Sequence, residues 1–141
     1  MTSQRQTSRR SKVLNQRNEV GDGPRLTLGY TYFQDRHYLE QQLELWKHYP
    51  SFVDIFLVDD GSEIDNALEV IQETGWELPE WGPSFQLWRC TRNLGFNSHG
   101  CRNLIAKYAL SDYIAFFDID MQISVETAGR LMVKKYNKRN L

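Results

Sequence analysis

Four short apolar runs, rich in β-forming residues, alternate along the chain with segments of helical spacing. The runs are Leu26–Phe33, Val53–Val58, Phe85–Cys90 and Tyr113–Phe117. After the first, Leu39, Leu43 and Trp46 recur at i, i+4 and i+7, and Pro50 closes the segment. After the second, Ser62 is placed to cap a helix carrying Ile64, Leu68 and Ile71 and ending at Gly75. Trp76–Ser84 reads as a packed loop, because its two tryptophans seek burial. After the third run, Ser98 can cap a helix reaching about Leu110, and after the fourth, Ser124 can cap one carrying Leu131 and Met132. Such alternation predicts an α/β domain with a mostly parallel sheet, right-handed crossovers and helices on both faces. Tyr113–Phe117 has almost no polar alternation, the pattern of a strand covered on both sides.

In sheets of this kind ligands bind beyond the carboxyl ends of the strands. Four acids sit there: Asp59 and Asp60 after the second run, Asp118 and Asp120 after the fourth. Asp118 and Asp120 are i, i+2, so on an extended strand their side chains leave one face about 6.6 Å apart along the chain. Two such carboxylates can share a divalent cation whose shell substrate phosphates complete. The same spacing also arises by chance in an acidic chain. Asp59-Asp60-Gly61-Ser62 reads either as a plain turn or as a paired-acid site. In the second case one carboxylate accepts from a base N–H while backbone amides hold the other. Asn93–Asn103 carries two glycines and a helix start, and Arg102 there suits a diphosphate, or is a surface arginine. His99 has no evident nucleophile partner, His37 and His48 read as surface residues, and Cys101 reads as a buried structural thiol.

Charge is unevenly distributed. The net value is −1, but residues 1–25 carry +4, residues 26–129 carry −10 and residues 130–141 carry +5. An acidic centre argues against nucleic acid as a partner and leaves room for a cation site. The basic start, 1–24, reads as a disordered solvated arm, with an address or nucleic-acid arm as the minor alternative; Gly21-Asp22-Gly23-Pro24 separates it from a domain over 25–141. No stretch is apolar enough for a membrane helix or a secretory signal. Two cysteines make no disulfide scaffold, and their spacing matches no zinc motif. The expected setting is cytoplasmic.

The motifs resemble family 2 glycosyltransferases, which use the GT-A nucleotide-diphospho-sugar transferase fold, a Rossmann-like architecture. The resemblance covers Leu26 to Ser124, about seven-tenths of the chain. In family order it comprises Thr31-Tyr32-Phe33-Gln34 with Tyr38-Leu39, then Val58–Ser62, then Asn93, Gly95, Asn97, Arg102 and Asn103, then Asp118-x-Asp120. It implies that Tyr32, Asp59, Asp60, Arg102 and Asp118 bind the donor, with Asp60 reading the base and Arg102 near the diphosphate. Asp118 and Asp120 would hold Mn²⁺ or Mg²⁺. The implied reaction is transfer of a sugar from a nucleotide-diphospho-sugar, such as a UDP-sugar, to an acceptor hydroxyl, with inversion. Phe33 departs from the small polar residue the family often has. The family also continues for roughly a hundred residues past D-x-D, close to a domain's length. The expectation is therefore a C-terminally short donor-binding part, with the catalytic base beyond Leu141 and the acceptor site completed by a longer chain or second polypeptide. The alternative is a non-catalytic nucleotide-sugar-binding remnant.

Overall fold

A computed structural model of the chain describes residues 10–16, 23–91, 95 and 97–139. Five strands form one sheet: β1 (Arg10–Gln16), β2 (Leu26–Tyr32), β3 (Val53–Asp59), β4 (Ser84–Cys90) and β5 (Tyr113–Asp118). Four helices alternate with them: α1 (Arg36–Trp46), α2 (Ala67–Thr74), α3 (Ser98–Tyr108) and α4 (Val125–Arg139). The sheet order is β1-β4-β3-β2-β5. β2, β3, β4 and β5 run parallel, as the alternation predicts, and β1 lies antiparallel along β4.

β1 corrects the sequence reading. Arg10–Gln16 was expected in a disordered arm; it is an edge strand paired from Arg10↔Cys90 to Gln16↔Phe85. Backbone pairing at an edge needs little apolar side-chain surface, so a polar run such as RSKVLNQ gives no pattern to read. Its Leu14 packs against the larger core cluster. The remainder of that arm, 1–9 and 17–22, lies outside the described residues.

The pleat divides the core. Leu26, Leu28 and Tyr30 of β2, with Val53, Ile55 and Leu57 of β3, belong to the larger cluster with Leu39, Leu43 and Trp46 of α1, Val70 and Ile71 of α2, and Ala128 and Met132 of α4. The intervening Phe56 and Val58 of β3 meet Cys101, Leu104 and Ile105 of α3 on the other face. Period 2 in the strands and 3.6 in the helices therefore build both layers. Trp46 is fully buried, with ring centroids 5.0 Å from Tyr30 and 6.0 Å from Phe85. Gly29 sits where α3 packs against β2: a Cβ there would meet Ile105 Cγ2 at 2.9 Å.

Two expectations at helix starts and one about strand burial are corrected. α2 begins at Ala67, capped by Asn66, whose Oδ1 accepts from Glu69 N at 2.9 Å; Ser62 and an exposed Ile64 lie in the loop before it. α3 begins with Ser98, and Asn97 holds the cap position. β5 is a half-exposed sheet edge rather than a strand covered on both faces. The loop after α2 half-buries one tryptophan and exposes the other. Trp76 donates to Leu43 O at 2.7 Å and packs on Phe85, while Trp81 is 72% exposed. Among the described residues no helix is long and apolar enough to cross a membrane.

Below the sheet's amino-terminal edge, Arg25 and Asp54 form a buried ion pair, with Arg25 Nε donating to Asp54 Oδ2 at 3.0 Å. Ser111 Oγ donates to the same carboxylate at 2.7 Å and accepts from Thr27 Oγ1 at 2.7 Å. Removing one partner of a buried pair leaves an uncompensated charge. Asp54→Ala is expected to lower stability by about 3–5 kcal/mol in urea denaturation. Gly29→Ala is expected to cost about 1–3 kcal/mol, because Ile105 is held in place by β3 and α3; an unchanged midpoint would show that Ile105 swings aside.

Candidate functional site

The parallel strand order turns around at β2: β3 and β4 lie to one side and β5 to the other. At such a point the connections leave in opposite directions and open a crevice beyond the strand ends. Thr31 and Tyr32 end β2, Asp59 ends β3 and Asp118 ends β5, and Thr31 is the register partner of Asp118. A cleft of about 250 Å³ opens there, lined by Thr31, Tyr32, Phe33, Asp35, Asp60, Ser98, Asp118, Ile119 and Asp120.

The two acids after β3 have different positions. Asp59 is 1% exposed and lies behind the cleft. Its Oδ1 accepts from Ser62 N at 2.9 Å and its Oδ2 from Ala67 N at 2.8 Å. Both oxygens are thus spent on backbone amides, and one carboxylate holds the loop and the start of α2 together. The sequence places Asp59 among the residues expected to contact the donor; in the fold both of its oxygens are engaged inside the protein. Ser62 Oγ in turn accepts from Gln34 N at 2.9 Å, and Gln34 Oε1 accepts from Glu63 N at 3.0 Å. These bonds support two non-glycine residues in the left-handed region, Gln34 at φ 46° and Asp65 at φ 48°.

Asp60 turns the other way, into the cleft lining. Its amide donates to Tyr32 O at 2.8 Å, which extends the β2–β3 ladder by one bond. Its Oδ2 accepts from Asn97 N at 3.0 Å, at the start of α3. Its Oδ1 is buried and has no partner among the described residues. Desolvation raises the Asp60 carboxyl above its ordinary range, and the Asn97 amide and Cys101 thiol pull it partly back.

Asp118 and Asp120 reach the cleft by a route the strand geometry did not anticipate. β5 stops at Asp118, and Met121 N donates to Asp118 O at 2.9 Å, so Asp120 lies in a turn rather than on the strand. The i, i+2 same-face argument does not apply. The turn brings both carboxylates to the same cleft instead. Gln42 of α1, fully buried, fixes that turn: its Nε2 donates to Ile119 O at 2.8 Å and to Met121 O at 2.6 Å. Tyr49 Oη donates to Ile123 O at 2.6 Å, one turn further on. Asp118 Oδ1 accepts from Thr31 Oγ1 at 3.4 Å, and Arg102 Nη2 lies 3.8 Å from the same oxygen. That ion pair is long and exposed, so it is weak and open to exchange.

Tyr32 is 1% exposed and its hydroxyl donates to Asp65 O, so its ring braces the loop after β3. Burial, with Asp59 nearby, pushes its hydroxyl pKa well up. The exposed aromatic at the cleft is Phe33. Asp35, Ser98 and Ile119 also line the cleft and were missed by sequence reasoning, as was Gln42. A glutamine at the core-facing position beside Leu43 was the available signal, since a buried amide needs partners. Of the segment Asn93–Asn103, residues 93, 94 and 96 lie outside the described residues. For a hard divalent cation, the oxygen donors of Asp118 and Asp120 are the right chemistry. Among the described residues no third acid or histidine joins them at ligand spacing.

Residues 31–140 match the family model described as Glycosyl transferase family 2. The chain belongs to this family. A search of curated proteins found no match. In this family 2 domain the acids of the switch-point cleft belong to the matched segment, as do the loop after β3 and the start of α3.

Replacing the two acids after β3 is expected to separate folding from binding. Asp59→Ala leaves two buried amides without an acceptor and should cost about 2–4 kcal/mol in denaturation. Asp60→Asn should not lower stability at neutral pH. A raised carboxyl pKa means that the folded state loses stability as pH rises from the ordinary Asp value through the raised one. The asparagine variant should therefore lose that downward slope in a pH series of thermal melts.

Proposed function

We propose that this family 2 domain binds a nucleotide-diphospho-sugar with Mn²⁺ or Mg²⁺ and presents it for inverting transfer to an acceptor hydroxyl. The observation that supports this most is the meeting of Asp60, Asp118 and Asp120, from two separate strand ends, in one cleft at the topological switch point. Asp60 carries a buried, unpartnered oxygen, which suits the N–H of a base. Phe33 offers an exposed ring face beside it. Asp59 and Tyr32 act indirectly, by holding the loop that aims Asp60.

Asp118 and Asp120 would hold the cation through carboxylate oxygens, and Gln42 holds the turn that carries them. A cation bound by one or two carboxylates keeps sites for phosphate oxygens, and when bound it neutralises charge on the departing diphosphate. Arg102, now paired weakly with Asp118, would exchange that contact for the diphosphate. In an inverting step the acceptor oxygen forms its bond to the anomeric carbon as the bond to the diphosphate breaks. The acceptor's proton needs a base, and the residues named here account for the donor side alone. A domain that binds the donor without turnover is the second reading.

Calorimetry with UDP, GDP and CDP, with and without Mn²⁺, tests the proposal. One nucleotide is expected to bind with a metal-dependent gain. Asp120→Ala should remove that gain, about tenfold or more in affinity. Gln42→Leu should weaken it while leaving every cleft carboxylate in place, because the turn loses its support. Binding unaffected by metal, or by Asp120→Ala, would reject the metal assignment. Binding of none of the nucleotides would reject the donor site. Sugar transfer by the chain, read as product with an acceptor panel, decides between the two readings.

A further inference from the structure

The chain has two cysteines, and the fold brings both to Asp60. Cys90 is the last residue of β4, and Cys101 lies in α3, with neither in a disulfide. A ligand atom from each of Asp60, Cys90 and Cys101 lies within 4.8 Å of the other two, and all three residues are buried. No sequence spacing announces this set, because its members follow β3, end β4 and lie within α3. We propose that these three side chains form a binding site for a thiophilic divalent cation, of the Zn²⁺ or Cd²⁺ class, distinct from the D-x-D carboxylates.

Three observations carry this. The first is the donor set: two sulfurs and one carboxylate favour a soft or borderline cation and disfavour Mg²⁺ or Mn²⁺. The second is the spacing. Zinc–sulfur bonds of about 2.3 Å place tetrahedral ligands about 3.8 Å apart, so closing round an ion needs contraction of about 1 Å or less. The third is Asp60 Oδ1: the residue is 6% exposed and this oxygen has no partner among the described residues, although a buried carboxylate is costly without one. Phe56, Val58, Leu104 and Ile105 complete the cluster that holds the two cysteines. That apolar shell lowers the local dielectric and so strengthens metal–thiolate attraction.

Three protein ligands leave a fourth tetrahedral position for water. On binding, each thiol gives its proton to solvent as its sulfur takes the metal bond, so two protons leave per ion. The charge of Zn²⁺ is then met by two thiolates and one carboxylate. Since Asp60 is also the residue assigned above to the base, metal here and a nucleotide base would exclude one another. That consequence rests on the donor-site reading; the site itself does not.

Titration of the reduced, full 141-residue chain with Cd²⁺ tests the proposal without any nucleotide. The expected result is thiolate-to-metal charge-transfer absorption saturating at one ion per chain, release of two protons per ion, and displacement by Zn²⁺. Because the chain has no other cysteine, any such absorption comes from this pair. Cys90→Ser and Cys101→Ser should each weaken binding by more than about 100-fold, beyond what loss of an outer-sphere partner costs. Asp60→Asn should keep the absorption and weaken the affinity by about tenfold or more. In the unsubstituted chain, Zn²⁺ should protect both cysteines from alkylation, a readout independent of whether the variants fold. Absence of saturable absorption, unchanged affinity in Asp60→Asn, or alkylation of either cysteine at the metal-free rate would each overturn the site.

Discussion

β2 is hydrogen-bonded along both edges, and both partners run parallel to it. Parallel neighbours cannot be joined by a tight turn, so each must be reached through a crossover long enough to hold a helix. The helices therefore cover the faces, and the strand ends that face one way gather every loop that follows a strand. Asp60 comes from the loop after β3 and Asp118 from the end of β5, and β2 stands between those strands. Each would lie far from the other if β3 and β5 were placed differently about β2.

Within that frame the loops are held by a few buried polar groups. Asp59 spends both carboxylate oxygens on Ser62 and Ala67 amides, and Gln42 spends its amide on Ile119 and Met121 carbonyls. Both Asp59 oxygens and the Gln42 Nε2 are engaged inside the protein, and each side chain supports the segment that carries a neighbouring carboxylate. Burial of Asp59 is tolerated because its charge is fully hydrogen-bonded. Asp60, one residue later, has one oxygen bonded and one without a partner among the described residues. Adjacent residues of the same type thus differ in environment: one is enclosed by backbone amides and the other lines the cleft.

Much of the fold was legible from periodicity. All four parallel strands and all four helices appear where alternation of the two periods places them, to within a few residues. The misses have physical causes. β1 is polar and bonded through its backbone, so no side-chain pattern marks it. Ser62 is a good cap by composition, but its hydroxyl is used by Gln34, and Asn66 takes the cap instead. The runs before the acids are apolar enough to announce strand ends, and there the acids were found. Trp81 was expected to be buried because it is large; the turn it occupies turns it outward.

The sequence by itself determined the α/β class, the parallel sheet, the family motifs and the acids at the strand ends. Each depends on residue type and local spacing, which a linear reading contains. Only the tertiary structure decided which acid is enclosed and which lines the cleft. Asp59 and Asp60 are identical in type and adjacent in sequence, and their surroundings differ because one lies under the loop and the other at the cleft. The approach of Cys90 and Cys101 to Asp60 is of the same kind. It depends on β4 lying beside β3 and on α3 packing across them, contacts between segments far apart along the chain.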